Sequence, residues 1–476
     1  MKEKETFYIT TTLAYVNADL HIGHAAEFIR ADILMRYKKS MGFDVFLNTG
    51  TDEHGQKIFN TAKEKGVAVQ DLVDNQAKRF KEQVDKMGIG YDKLIRTTDD
   101  YHKKAAQEFW KRCEDNGDIY KKNYKVKYCI GCELGKTDSE LVNGECPLHP
   151  GKKIEEIEEE NYFFKFSKYQ KSLLELYTNN PEFVVPDFRL KEIKNFVEGG
   201  LQDFSISRLK EKMPWGISVP NDDRHIMYVW FDALVDYIST IGWPSDMEKF
   251  EKNWPVVQVC GKDNLRQQSA MWQAMLMSAG IEASKKIYVF GFINSAGQKM
   301  SKSIGNVINP LDVIDEYGKD ALRYYVSRRL NMYEDSDMTM DKFKDIYNGD
   351  LANGLGNLVS RIMRMVENYE VNYELKDFVL DKQVEFTKLM DNFNLNGASN
   401  LIWQKIKYLD GKIQEEEPFK VAKEDLNKAQ DMVGDYIPVL WEVANLLEIF
   451  IPETAQKIKE IIKSRKTPKE PLFLRK

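Results

Sequence analysis

Two stretches of this chain run strand, helix, strand, and that order constrains the fold more than any other feature. Phe7-Tyr-Ile-Thr-Thr-Thr12 is β-branched and aromatic and reads as a strand. A polar loop, Tyr15-Val-Asn-Ala-Asp19, follows. Ile22, Ala26, Ile29, Ile33 and Tyr37 then recur at spacings of three and four, which makes one face of a helix that Gly42 ends. Val45-Phe-Leu47 is a second strand. The order returns where Trp254-Pro-Val-Val-Gln-Val-Cys260 and Lys286-Ile-Tyr-Val-Phe-Gly291 bracket a helical stretch. Strands joined through a helix lie parallel, so the expected fold class is α/β, with a parallel sheet made in two halves. Between the halves, roughly Tyr120 to His225 breaks the pattern and reads as a connective insertion. After about residue 345, Leu351, Leu355, Leu358, Ile362 and Met365 recur at helical spacing, and similar sets continue to Ile462. The expected segments are residues 1–119 (first half), 120–225 (insertion), 226–345 (second half) and 346–476 (all-helical domain).

Composition narrows the function classes. In 476 residues, 42% hydrophobic and 30% charged, there is enough apolar matter for sizeable cores, which excludes a wholly disordered chain. No apolar run reaches the roughly 18 residues of a membrane span. The start, Met-Lys-Glu-Lys-Glu-Thr-Phe-Tyr-Ile, has no apolar signal core, so a cytoplasmic protein is expected. Five cysteines are too few for a disulfide scaffold, and three of them cluster, which suggests a metal site. A net charge of −6 argues against non-specific coating of DNA, although local patches decide nucleic-acid binding. Ile451 to Lys476 carries eight Lys/Arg against three Glu. It reads as a solvated helix with a tail, or as a phosphate-contacting surface. The acidic run Glu155 to Glu160 reads as a solvated face.

Three motifs carry chemistry. His21-Ile22-Gly23-His24 stands where a strand and loop open a helix, so two imidazoles and free backbone N–H groups can meet a phosphate. Lys299-Met300-Ser301-Lys302-Ser303, bounded by Gly297 and Gly305, forms a cationic loop with hydroxyl donors. Alone it reads as an ordinary solvated basic loop; after a strand in the opposite half of the sheet from the histidine pair, it reads as a clamp for phosphates. Cys129-x2-Cys132-x13-Cys146-x2-His149 supplies three thiolates and one imidazole. Four protein ligands suit Zn2+ and leave no open position, so the expected role is structural. Cys113 and Cys260 stand apart and read as buried small residues.

At these residues the chain resembles the class I aminoacyl-tRNA synthetases, whose two signatures are His-Ile-Gly-His and Lys-Met-Ser-Lys-Ser. Within that class it is most similar to the methionyl-tRNA synthetase family. Leu13-Ala-Tyr15, Asp52-Glu-His-Gly55, Tyr228-Val-Trp-Phe-Asp-Ala233 through Tyr237, Glu160-Asn-Tyr-Phe-Phe164 and Asn357-Leu-Val-Ser-Arg361 all look like family segments. The resemblance covers essentially the whole chain. It implies a Rossmann-type sheet in two halves, a zinc-knuckle connective insertion and an all-helical anticodon-binding domain. It also implies activation of L-methionine by Mg2+-ATP, then transfer to the 3′ end of tRNA(Met).

The resemblance implies roles residue by residue. His21 and His24 would contact the phosphates of ATP, with Gly23, Asn17, Ser301 and Ser303 also at the nucleotide, and Lys299 and Lys302 would close on pyrophosphate. Asp52 would pair with the α-ammonium. Leu13, Tyr15, Trp230, Ala233, Tyr237, Asn264, Gln268 and Trp272 would line the methionine pocket, although apolar residues such as Leu13, Ala233 and Trp272 also suit a core. Asn357, Arg361, Pro418 and Phe419 would meet the anticodon. Cys129, Cys132, Cys146 and His149 would hold one structural Zn2+. Three departures stand out. Asn264 and Gln268 replace the usual Ile and His; these two amides could bond each other, or the pocket could be differently shaped. Phe419 replaces the usual Trp and can still stack on a base. The family's extra C-terminal module has no room here, so a monomer is expected.

Other readings fit less well. The isoleucyl, valyl and leucyl enzymes carry an editing insertion larger than residues 120–225, because one methylene gives only about 1–3 kcal/mol of discrimination. In cysteinyl enzymes the zinc lies in the substrate site. A non-catalytic tRNA-binding relative would lose signature residues, and a small-molecule nucleotidyltransferase would need no helical domain with Asn357 and Arg361.

Overall fold

The computed structural model describes residues 4–16, 19–132, 134–136, 138–300 and 305–476. The chain divides into two compact units. One comprises Met1–Leu20, Asp44–Asp85 and Gly90–Phe290, and the other His21–Phe43, Lys86–Ile89 and Gly291–Lys476.

The first unit is built on a seven-stranded sheet. In spatial order it runs Lys93–Arg96, Asp44–Asp52, Thr6–Thr10, Val257–Gly261, Lys286–Phe290 and Val184–Val185, and the short Ala14–Tyr15 pairs with the far end of Asp44–Asp52. Every pairing is parallel. The two halves expected from the sequence meet where Ile9 and Thr10 lie opposite Val257 and Gln258. Central positions such as Ile9, Leu47, Ile287 and Val289 are fully buried, as strands covered on both faces require. An aromatic cluster lies beside them. Phe109 stacks on Trp272 at 5.5 Å, Trp110 meets Phe231 edge-on at 5.2 Å, and Tyr237 meets Trp272 edge-on at 6.0 Å.

Residues 120–225 do more than interrupt the sheet. Val184–Val185 pairs with Ile287 and Tyr288 as an edge strand of the central sheet. Two residues are too few for periodicity to show it. The rest is largely antiparallel. Ile119–Cys129 pairs with Ile154–Phe164 along its whole length, so Lys125 faces Glu158 and Lys127 faces Glu156. Lys125 Nζ lies 3.0 Å from Glu156. The acidic run is therefore one side of a charge-paired ladder. Its member Glu159 is buried, bonded by Lys212 at 2.9 Å and by Asn161 at 2.7 Å, so that residue departs from the solvated face expected.

The second unit is mostly helical. Besides Ile22–Ser40 it holds Asn357–Asn368, Leu395–Glu416, Leu426–Phe450 and Pro452–Ser464. The apolar series from Leu351 to Met365 is helical throughout, but Tyr347–Gly356 winds as a wider π-helix before Asn357–Asn368 begins. Glycines at 349, 354 and 356 tolerate that winding, which keeps Leu351 and Leu355 buried. The basic tail keeps most of its Lys and Arg side chains exposed, as expected, while its end docks through the backbone. The Leu474 carbonyl accepts from Tyr347 Oη at 2.9 Å, and Lys476 N–H donates to Asn348 at 3.0 Å.

A buried carboxylate ties this unit together. Asp32, without exposure, accepts from Arg36 Nε at 2.7 Å and from Arg323 Nη2 at 2.6 Å, while Arg323 Nε donates to the Phe450 carbonyl at 2.8 Å. Removing one partner of a buried pair strands the other charge. Asp32→Ala should lower unfolding free energy by about 3–5 kcal/mol, seen as an earlier helical transition in urea followed by circular dichroism. A midpoint unchanged from the parent would refute this role.

Candidate functional site

His21 caps the helix Ile22–Ser40. Its Nδ1 accepts the Gly23 N–H at 3.0 Å, and His24 Nδ1 accepts the His21 N–H at 3.3 Å, so the two rings satisfy opposite ends of the first turn. The ring centroids are 4.0 Å apart. A Cβ on Gly23 would lie 2.8 Å from His21 Cε1, so any side chain there would displace the capping ring. The geometry also assigns the protons. A ring nitrogen that accepts carries no hydrogen, so each neutral imidazole holds its proton on Nε2 as a donor. Burial first, then the positive charge of Lys299, lowers His21 to about 4. Burial first, then His21, lowers His24 to about 3. Both rings are thus neutral near pH 7.

The lysine segment belongs to the same unit. Gln298–Lys299 pairs antiparallel with Ile293–Ser295, and Lys299 is exposed with its ammonium 5.3 Å from the Phe292 ring centre. Just beyond it, the Ile308 carbonyl accepts the Ile22 N–H at 3.1 Å, tying this segment to the helix start that carries the histidines. Asn17, Ser301, Lys302 and Ser303 lie outside the described residues.

The residues expected at an amino-acid pocket all belong to the first unit. Ala14–Tyr15 pairs with Thr51 and Asp52, which sets Tyr15 beside Asp52. Asp52 is nearly buried, and its Oδ1 lies 3.4 Å from the His54 N–H. Trp230, half-buried, and Ala233, buried, share the short helix Val229–Ala233. Leu13 is half-buried in the loop before Tyr15. Trp272 has no exposure and sits in the aromatic cluster described above. Gln268 is 1% exposed and bonds Tyr237 Oη at 2.6 Å and Gln258 Nε2 at 2.5 Å. Asn264 is half-buried, and among the described residues no bond joins it to Gln268. The expected amide pair is therefore replaced by a Gln258–Gln268–Tyr237 chain, because Gln258 and Tyr237 meet both ends of the Gln268 amide.

Several buried polar residues around these positions escaped the sequence reading. Glu53 accepts from Thr51, Thr98 and, twice, from Arg96. Asp232 bridges His54 and His102. Asp236 accepts from Asn48 Nδ2 at 3.0 Å, and its burial raises its carboxyl well above the usual range. The only signal available in the sequence was the presence of charged residues inside otherwise apolar motifs.

The cysteine motif closes into one cluster. The ligand atoms of Cys129, Cys132, Cys146 and His149 all lie within 4.8 Å of one another. Cys132 Sγ is 3.2 Å from His149 Nδ1 and 3.4 Å from Cys146 Sγ, and none of the three cysteines is in a disulfide. Gly131 leaves room for the imidazole: a Cβ there would meet His149 Cγ at 2.5 Å. The cluster can hold a metal ion.

In the second unit, Asn357 is exposed at the start of its helix and Arg361 pairs with Asp410 at 2.6 Å. Pro418 is buried and opens the helix Pro418–Val421, while Phe419 is 47% exposed. An aromatic ring so exposed on a rigid turn suits stacking against a planar ligand.

The histidine pair gives a measurable pH dependence. Their pKa values lie below the unfolded value of about 6.5, so the unfolded chain binds more protons between the two. Their contribution to stability is complete above about pH 6.5 and is lost as pH falls toward 4 and then 3. In a proton NMR titration, two imidazole C–H resonances that vanish in the His21→Asn and His24→Asn variants should stay at neutral shifts down to pH 5. Titration near 6.5 would refute the buried, neutral geometry.

Known proteins resemble this chain over most of its length. The family model described as tRNA synthetases class I (M) matches residues 7–156 and 149–363. The methionine–tRNA ligase of Thermotoga maritima is 39% identical over 469 residues, covering 95% of this chain and 74% of that protein. That of Clostridium tetani is 40% identical over 476 residues, covering 96% and 74%. A solved structure of Mycobacterium tuberculosis methionyl-tRNA synthetase in complex with methionyl-adenylate superposes with a TM-score of 0.91 at 32% identity, covering 99% of this chain and 100% of that one. The chain belongs to the class I tRNA synthetases, in the methionine–tRNA ligase family.

Proposed function

We propose that the chain activates L-methionine with ATP and transfers it to the 3′ end of tRNA(Met). The methionine carboxylate attacks the α-phosphate of Mg2+-ATP, the bond to the β-phosphate oxygen breaks, and methionyl-adenylate and pyrophosphate result. A terminal ribose hydroxyl of the tRNA then attacks the acyl carbon, and AMP leaves. No covalent enzyme intermediate is needed, so the protein contributes positioning and stabilisation of charge on phosphoryl oxygens.

The observation that carries this reading is the fixed tautomer of the histidine pair. With both Nδ1 atoms bonded to backbone N–H groups, both Nε2–H groups remain as donors for phosphate oxygens. Neutral donors hold their geometry without titrating across physiological pH. Lys299 adds positive charge beside His21, and Lys302 is assigned to pyrophosphate with it. Asp52 is assigned to the α-ammonium. Leu13, Tyr15, Trp230, Ala233, Tyr237, Asn264, Gln268 and Trp272 are assigned to the methionine side chain, for which aromatic–sulfur contact is favourable. Asn357, Arg361, Pro418 and Phe419 are assigned to the anticodon, with Phe419 as the stacking platform. Among the described residues no helix is long and apolar enough to cross a membrane. A monomer working in the cytoplasm fits this reading.

The Cys3His cluster fits Zn2+. Four of its six ligand-to-ligand spacings run from 3.2 to 4.0 Å and match atoms placed about 2.0–2.3 Å from a shared tetrahedral centre. Bound there, zinc would crosslink the two arms of the knuckle.

Two measurements test these assignments. Methionine-dependent exchange of labelled pyrophosphate into ATP should be present in the parent chain and should fall about 10²–10³-fold in kcat in His24→Ala. Absence of exchange with methionine, or faster exchange with another of the twenty amino acids, would overturn the substrate assignment. Metal analysis should find one zinc per chain in the parent and almost none in Cys132→Ser. Full zinc retention in that variant would place the metal elsewhere.

A further inference from the structure

Asp232 joins two pieces of chain that the sequence keeps far apart. Its Oδ2 lies 2.7 Å from His54 Nδ1, and its Oδ1 lies 2.9 Å from His102 Nε2. His102 Nδ1 in turn lies 3.0 Å from Ser239 Oγ. Both side chains of the His102–Asp232 pair are without exposure, and that of His54 is 4% exposed. A buried carboxylate with one oxygen on each of two imidazoles is fixed in rotation as well as position. Burial acts to raise its pKa, and His54 with His102 more than reverses this, so it stays ionised.

The two imidazoles stand on different elements. His54 follows Asp52 directly after the strand Asp44–Asp52, and its backbone N–H approaches the Asp52 carboxylate. Asp232 lies on Val229–Ala233, between Trp230 and Ala233. The loop is locked on its other flank too. Glu53 accepts from Arg96 Nε at 2.7 Å and Nη2 at 2.9 Å and from Thr51 at 2.6 Å, and Thr97 Oγ1 accepts its N–H at 2.9 Å. Trp215 donates its indole N–H to the Glu53 carbonyl at 2.6 Å, with its ring centre 5.7 Å from that of His54. The tetrapeptide Asp52–Gly55 therefore has two anchors, one at Glu53 and one at His54, and the second runs to the helix bearing Trp230 and Ala233.

We infer that Asp232 and His54 are positioning residues for amino-acid selection: the imidazole–carboxylate link sets the separation between Asp52 and the Trp230–Ala233 helix. This rests on the assignment of those three residues to the amino acid in the proposed function. A loosened link lets the carboxylate that meets the ammonium drift from the wall that meets the side chain. Affinity for the amino acid then falls while the nucleotide is bound as before. A general packing role would instead lower the folded fraction and scale activity down at unchanged KM.

The test compares His54→Leu, His54→Asn and Asp232→Asn in pyrophosphate exchange, with KM measured separately for methionine and ATP and thermal unfolding followed in parallel. His54→Leu removes the donor to Asp232, whereas the asparagine amide can restore a donor near the Nδ1 position. The expected result is a methionine KM raised at least about tenfold in His54→Leu and Asp232→Asn, an ATP KM within about twofold, and a methionine KM within about threefold of the parent in His54→Asn. Folded His54→Leu with an unchanged methionine KM overturns the inference while leaving the parent reading intact. Equal rises for methionine and ATP, or no rescue by asparagine, also overturn it. A parent chain without methionine-dependent exchange defeats the underlying reading and the inference together. If Asp232→Asn does not fold, the two His54 variants still decide the outcome.

Discussion

A carboxylate taken out of water must be given donors, and the ends of the first unit's strands are organised around that requirement. Glu53, Asp232 and Asp236 are all buried within the same unit, and each meets the requirement differently. Glu53 is paired with a guanidinium and hydroxyls, Asp232 with two imidazoles, and Asp236 with an amide while its carboxyl is pushed toward the protonated form. Three buried acids held by different sets of donors cannot exchange partners cheaply. That makes the geometry of the Asp52 loop a property of the whole buried network and not of the loop itself. The parallel sheet delivers Glu53, the residue after the strand Asp44–Asp52, whereas Asp232 and Asp236 come from the short helices Val229–Ala233 and Asp236–Ser239, which their bonds to His54 and Asn48 tie to that strand and the loop after it.

The second unit solves a related problem at a helix start. The first turn of Ile22–Ser40 has no acidic residue, although acids are the usual complement to the helix dipole there. An acid at this position would repel a phosphate. Neutral imidazoles satisfy the backbone donors through Nδ1 and still present a donor outward, which an ionised aspartate cap cannot do. Gly23 is required by the same logic, since the capping ring folds back over its Cα. Capping chemistry and the proposed phosphate contacts are thus two uses of one arrangement.

How much of this was legible in the sequence follows from interaction range. The strand–helix–strand order, the histidine pair and the cysteine cluster rest on residues close in sequence or on strong periodicity, and they were readable. The pairing of His54 with Asp232 spans 178 residues and that of His102 with Asp232 spans 130, and no local pattern encodes either. The edge strand Val184–Val185 was too short to register. The winding change at Tyr347–Gly356 was hidden because a π-helix leaves the apolar spacing nearly that of an α-helix over one or two turns. The tail's docking escaped for a different reason. Its charge signalled the solvation that its exposed side chains show, but not the contacts made by the backbone at Leu474 and Lys476 and by the Phe473 ring against Tyr347.

The relation between Gln268 and Asn264 shows why residue type alone misleads in a buried wall. An amide has a direction: its oxygen accepts and its nitrogen donates. Ser284 Oγ donates to Gln258 Oε1, Gln258 Nε2 donates to Gln268 Oε1, and Gln268 Nε2 donates to Tyr237 Oη. Each step in that series uses the end of the amide that the previous step leaves over. Turning either glutamine over would set two acceptors or two donors face to face, at a cost of about 1–3 kcal/mol for each buried group left unmatched. The series therefore fixes its own orientation, and it engages both ends of the Gln268 amide without Asn264. A buried cluster built this way is polar in composition but has its donors and acceptors turned toward one another.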